Sequence, residues 1–344
     1  EGIIFTDYYG EKDYPGPEGK GRVRIDEDAY RRMWSQGRRR VRELDWTTPQ
    51  TFNAAIEWLT HNARRESFFL YVDTFDPHEP WDPPRWATDL YLRDADAEPY
   101  AWAEYGSVKQ YGKRELRHMQ ALYAGECTMV DRWFGRLMDT IDLLGLGDNT
   151  MVIFISDHGH YLGYPNDGGQ VGKATGFNSR DGYFGRRNAD VFIPLLDSCS
   201  NPLFMVRMPG QAKGTRCNEL AQPPDVFPTI LDFMRTKAPD GIHGQSLLPL
   251  LGGRKAALRR EAVTACNGTF AQISNRRWLY GAWDLDNPPR LYDRKTDPDQ
   301  AGDVLADNPD TARRMHRKLI RQMRELEAPE GWIEKLDAKE DRIS

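Results

Sequence analysis

Four residues of this sequence stand where they could do chemistry. Asp157 and His158 directly follow the apolar run Met151–Ile155. A carboxylate and an imidazole side by side at a strand end can both face one cation, and Gly159 behind them lets the backbone turn sharply. Oxygen donors suit Ca²⁺ or Mg²⁺, while an imidazole moves the preference towards softer divalent metals. The same Asp could instead cap a helix N-terminus, and the dipeptide alone leaves both readings standing. His78 lies between Pro77 and Pro80, which hold the backbone and so fix where the ring is presented. A proton donor or an anion ligand needs that fixity; a surface histidine in a Pro-rich turn is the alternative. Lys173 closes the Gly-rich stretch Gly169-Gln170-Val171-Gly172. Its ammonium could hold a tetrahedral oxyanion as a point charge, or it could be an ordinary surface lysine.

Helices and buried strands must position these groups. Phe68–Val72, Met151–Ile155 and Leu203–Val206 are short apolar runs without polar alternation, the pattern of strands buried on both faces. Between the first two lies a long amphipathic helix, 115–144, with Met119, Leu122, Met129, Val130, Trp133, Leu137 and Ile141 at helical spacing and Gly145 and Gly147 at its end. At 1.5 Å per residue it would be about 45 Å long, suited to lie across a broad sheet. A shorter helix is marked by Thr48 as N-cap, Pro49 at the first helical position, and Phe52, Ala55, Ile56 and Leu59. Pro224–Arg235 predicts one more.

The fold class this gives is α/β: a mostly parallel mixed sheet flanked by helices, with a small C-terminal α+β subdomain. The expected division is a large α/β part over 1–245, the subdomain over 246–335 and a solvated tail over 336–344. Strand-like pieces at 262–265, 270–273 and 277–281, the motif Leu291-Tyr292-Asp293 and a charged helix over 309–327 fill the subdomain. Residues 7–24 read as a surface segment. Asp26–Leu44 reads as a helix whose cluster Arg38-Arg39-Arg40 and Arg42 is a solvated face.

Composition narrows the field. With 47 Lys plus Arg against 52 Asp plus Glu, the net charge of −5 across 344 residues gives no reason to expect nucleic acid. No apolar run is long enough for a membrane-spanning helix. Four cysteines, none in a C-x-x-C pair, make neither a disulfide framework nor a zinc ribbon.

The strings FFLYVDTFDPHEPWDPP, DNTMVIFISDHGHYLG, VGK and NPLFMVRMPG, in that order, resemble the sulfatases of the alkaline phosphatase superfamily. The later stretches QPPDVFPTILDFM, GIHGQSLLPLL and RLYDRKTDPDQAGDVLADNPD resemble them too, so the likeness runs from about residue 26 to 327. The resemblance implies an alkaline phosphatase-like fold and metal-dependent hydrolysis of a sulfate ester. Asp157 and His158 would match metal ligands, with Ca²⁺ expected first and Mg²⁺ or Mn²⁺ as alternatives. His78 would match the histidine that contacts the sulfate and assists the leaving group, and Lys173 the lysine that binds sulfate. The partner would be a sulfated small molecule or glycan. In that family a Cys or Ser in C/S-x-P-x-R becomes the formylglycine nucleophile. Here no Cys or Ser is followed by x-Pro-x-Arg. The expectation is therefore a C-terminal part of a sulfatase, inactive alone, whose formylglycine and other metal ligands lie upstream. Tyr164–Gly169, where the family often has a histidine, and the Arg/Gly-rich stretch Gly176–Asn201 depart from the pattern on the substrate side. Two alternatives stand beside this reading: a phosphoric ester hydrolase of the same superfamily (a phosphodiesterase or phosphonate monoesterase), and a non-catalytic truncated relative.

Overall fold

The computed structural model describes residues 40–65, 67–94, 103, 105–173, 195–253, 258–266, 270–283 and 288–343. The expected surface segment 7–24 lies outside these residues. So do most of the helix expected over 26–44 and the stretch 176–201 up to residue 194. The described residues fall into two compact units, one within residues 40–150 and one within 151–343.

The first unit is built on two helices. In α1 (Thr47–Asn62) the buried residues Phe52, Ala55 and Leu59 recur on one face. It starts at Thr47, two residues ahead of Pro49, which the first helical turn tolerates because an N–H there has no intrahelical partner. The long helix α2 (Lys113–Leu143) buries Met119, Leu122, Met129, Val130, Trp133, Leu137 and Ile141. It ends at Gly145, whose φ of 70° is the left-handed conformation that closes helices. Phe52 of α1 meets Phe134 of α2 edge to face, with ring centroids 6.4 Å apart.

Phe68–Val72 departs from expectation, because it joins no strand. Its exposure still alternates as in a strand. Phe68 packs on Trp58 of α1 at 5.4 Å, while Phe69 and Tyr71 on the other side are 61% and 73% exposed. A run apolar on both sides needs cover on both, and among the described residues only one side has it.

In the second unit, β1 (Val152–Ile155) pairs antiparallel with β4 (Phe204–Arg207), Val152 opposite Arg207 and Ile155 opposite Phe204. Between them β2 (Tyr161–Leu162) and β3 (Gln170–Gly172) form a short antiparallel hairpin. Helix α3 (Val226–Phe233) follows. Then β5 (Ala262–Cys266), β6 (Phe270–Ser274), β7 (Trp278–Trp283) and β8 (Arg290–Asp293) make an antiparallel meander in that order. All these pairings are antiparallel, so the parallel part of the expected mixed sheet does not come from them. β1 is also less covered than its sequence suggests, with Ile155 39% exposed.

Helix α4 (Pro309–Glu325) lays Ala312, Met315, Leu319, Ile320 and Met323 on Ala271, Ile273, Tyr280, Ala282 and Leu291 of the meander. Helix α5 (Glu330–Asp337) adds Ile333 and Leu336 to the same core. The solvated tail expected over 336–344 is packed at its described residues: Leu336 and Ile343 are buried, because the chain folds back onto the apolar face of α4. The expected boundary at 245/246 lies inside this second unit. Asp225 ties its parts together. It accepts from the guanidinium of Arg259 and from the backbone N–H groups of Gln222 and Gln245.

Candidate active site

Asp157 and His158 leave the end of β1 as a pair. Asp157 Oδ1 accepts from the His158 backbone N–H at 2.8 Å, and Asp157 Oδ2 lies 3.4 Å from His158 Nε2. His158 Nδ1 lies 2.8 Å from the Gly159 carbonyl. A carbonyl only accepts, so Nδ1 carries the proton, and in the neutral ring the lone pair is then on Nε2, beside the carboxylate. This is the usual dress of a metal-binding histidine, its outer nitrogen fixed by an oxygen. The 3.4 Å separation suits two donors sharing one cation at bonds of about 2.0–2.6 Å. Asp157 and His158 thus fit as two ligands of a divalent ion. Among the described residues, the one cluster of three or more close donors lies elsewhere, so this pair needs further ligands.

The turn at Gly159 is enforced by packing. A Cβ there would sit 2.0 Å from the Ser198 carbonyl oxygen, so only glycine fits. Gly159 N–H donates to the Cys199 carbonyl at 2.8 Å. The buried Cys199 Sγ lies 3.5 Å from the Gly159 carbonyl and 3.7 Å from that of Lys173. One short helix, Asp197–Ser200, thereby ties the backbone of Gly159, next to His158, to the backbone of Lys173. Burial pushes the Cys199 thiol up to about 12, with Asp167 and Asp157 raising it and Lys173 lowering it. That helix is held by the Tyr161 hydroxyl, which accepts the Leu196 N–H at 2.9 Å. The buried Asp167 accepts the N–H groups of Leu162 (2.6 Å) and Tyr164 (3.0 Å) and shapes the turn over 164–168.

His78 belongs to the first unit. Its N–H donates to the Phe75 carbonyl at 3.0 Å, and its ring lies 4.4 Å from that of Phe75. Nδ1 contacts the Glu79 carbonyl and stands 3.6 Å from the Glu79 carboxylate. The ring is about one-third exposed, while Glu79 is buried and accepts from the Tyr105 hydroxyl. Behind the loop, the fully buried Trp81 donates to the Pro77 carbonyl at 3.1 Å and stacks edge to face on Tyr123. Asp82 pairs with Arg40, and its N–H donates to Glu126 Oε1 at 2.8 Å.

Sequence reading missed this acidic support. Burial holds Asp76 above its ordinary value, lifts Asp82 to about 7 and puts Glu126 well above the carboxylate range. Glu126 had one visible signal: it occupies the apolar stripe of α2, four residues after Leu122 and three before Met129. Glu79 had none beyond adjacency to His78.

Comparison with known proteins places this geometry. Residues 25–236 match the family model described as Sulfatase, and residues 195–328 match "N-sulphoglucosamine sulphohydrolase, C-terminal". An arylsulfatase of Clostridium perfringens is 28% identical over 224 residues, covering 60% of this chain and 42% of that protein. The chain spans 36% to 56% of the lengths of such curated relatives. A solved complex with its substrate D-glucosamine-2-N,6-O-disulfate superposes with a TM-score of 0.61 at 16% identity, covering 82% of this chain and 70% of that one. The phosphonate monoester hydrolase of Agrobacterium radiobacter superposes equally, at 0.61 and 21% identity, covering 83% and 62%. These likenesses show the α/β fold of the alkaline phosphatase superfamily, and the family match over well over half of the residues makes the chain a member of the sulfatase family.

Proposed function

We propose that this chain carries part of the catalytic centre of a metal-dependent sulfuric ester hydrolase acting on a sulfated small molecule or glycan. What supports it most is that Cys199 touches the backbone carbonyls of both Gly159, which follows the Asp157–His158 pair, and Lys173, in a sulfatase-family chain. Asp157 and His158 would hold a divalent cation, Ca²⁺ first, with Mg²⁺ or Mn²⁺ as alternatives. That ion, when bound, supplies Lewis-acid polarisation of the sulfate oxygens. Lys173 offsets charge on the sulfate oxygens as a point charge. His78 gives a proton from Nε2 to the leaving alcohol oxygen, while the Glu79 carboxylate stands beside Nδ1. The nucleophile, a formylglycine in the family's pattern, is supplied by a segment outside these 344 residues, since the sequence has no C/S-x-P-x-R. The chain alone is therefore inactive.

A second reading is supported by the likeness to a phosphonate monoester hydrolase: the same charges would serve a phosphoric ester. The test is hydrolysis of 4-nitrophenyl sulfate and a 4-nitrophenyl phosphonate in Ca²⁺, by the chain alone and by the chain fused behind a sulfatase segment bearing C-x-P-x-R. The expected result is sulfate turnover by the fusion only, lost in His78→Ala, Lys173→Ala and Asp157→Asn. Phosphonate turnover alone selects the second reading. Turnover by the unfused chain that disappears in His78→Ala contradicts an outside nucleophile.

A further inference from the structure

The second unit holds a group of metal donors that the sulfatase site does not use. His316 on α4, Asp337 at the end of α5 and Glu340 in the turn after it each offer one ligand atom, all within 4.8 Å of one another. His316 is fully buried, and its Nε2 has no hydrogen-bond partner. A buried polar atom without a partner is costly unless something fills the place. Nε2 faces Asp337 Oδ1 at 3.7 Å.

We propose that His316, Asp337 and Glu340 form a binding site for a borderline divalent cation of the Zn²⁺ class, which clasps α5 and the following turn to α4. The other ring nitrogen supports this: His316 Nδ1 lies 3.0 Å from the Tyr280 hydroxyl on β7. With Nδ1–H donating to that oxygen, the lone pair stands on Nε2, and the histidine has its outer nitrogen fixed as metal-bound histidines do.

Both carboxylates already have a cationic partner on one oxygen. Asp337 Oδ2 is 3.1 Å from Arg324 and Glu340 Oε1 is 2.7 Å from Arg317, both guanidinium groups being more than half exposed. Binding through Asp337 Oδ1 and the other Glu340 oxygen leaves both pairs intact. One nitrogen and two oxygens at about 2.0–2.2 Å match the zinc donor set, with a fourth position for water. A hard ion such as Ca²⁺, wanting six to eight oxygens, is poorly served.

The experiment is Zn²⁺ titration of the full chain by calorimetry, with melting curves, in a background carrying Asp157→Asn, His158→Ala and Cys217→Ser. These changes silence the sulfatase pair and an exposed thiol. Into this background Asp337→Asn and Glu340→Gln are introduced singly. Both sites are partly exposed, so the variants fold, whereas His316→Ala risks the core. The expected result is one Zn²⁺ per chain, a raised Tm, no such rise with equal Ca²⁺, and an affinity loss of at least about tenfold in each variant. Co²⁺ in place of Zn²⁺ should give the visible absorption of a four-coordinate ion. No bound Zn²⁺, or equal affinity in both variants and their background, overturns the site.

Discussion

Glu126 shows how a single residue supports the loop that presents His78. Its Oε1 accepts the Asp82 N–H, and its Oε2 is buried without a partner. Burial, with Asp76 and Asp82 nearby, raises its pKa well above 4.5, so it folds as the neutral acid. Glu126→Gln keeps the accepting oxygen and should change stability at pH 7 by less than about 1 kcal/mol. Glu126→Leu strands the Asp82 N–H and should cost about 1–3 kcal/mol, read from urea unfolding followed by tryptophan fluorescence. Equal losses in both variants would show that Glu126 is charged in the fold. At this scale the sequence was most legible where chemistry and spacing coincide. Asp157 and His158 could be singled out because the apolar run before them fixes where they emerge. Glu79 could not, because its burial depends on Tyr105, a contact that spacing along the chain does not encode.

Elements were legible where local periodicity decides them. The meander β5–β8 and helix α4 appear within a few residues of expectation, because turns and helical spacing mark them without help from distant chain. Phe68–Val72 was legible in character but not in outcome: an apolar run states what cover a strand requires, not whether a neighbour supplies it. The solvated tail failed for a similar reason, since Leu336 and Ile343 are too sparse to announce a core contact made with α4. The short helix Asp197–Ser200 has no periodic signal, yet it fixes the turn at Gly159. Gly159→Ala forces a Cβ against the Ser198 carbonyl, and the helix must shift. The expected cost is about 1–3 kcal/mol, with Lys173 displaced along with Asp157. A melting curve unchanged from wild type would contradict that close approach.

For the molecule as a whole, stability should narrow from both ends of the pH range. Asp82 is held at about 7, above its ordinary 3.8, chiefly by burial. A raised carboxylate stabilises fully below its unfolded value, and that contribution is lost as pH rises through 7. Asp82→Asn keeps an acceptor for Arg40 and should flatten the loss between pH 4 and 7 in urea midpoints. A slope as steep as wild type would show that Asp82 does not carry it. At the acid end, the hydrogen bonds from Arg277 hold Asp293 at about 2. This contribution is present above pH 4 and lost as pH falls through 2, so Arg277→Gln should move acid unfolding to higher pH; an unmoved acid midpoint argues against it.

Asp157 and His158 are proposed to bind a divalent cation beside Lys173. Paramagnetic broadening by Mn²⁺ in amide spectra of the labelled chain tests it directly. Signals of Ser156–Gly159, Lys173 and Asp197–Ser200 should broaden together, and Asp157→Asn should restore them. Broadening that spares these residues, or that persists unchanged in Asp157→Asn, would contradict it.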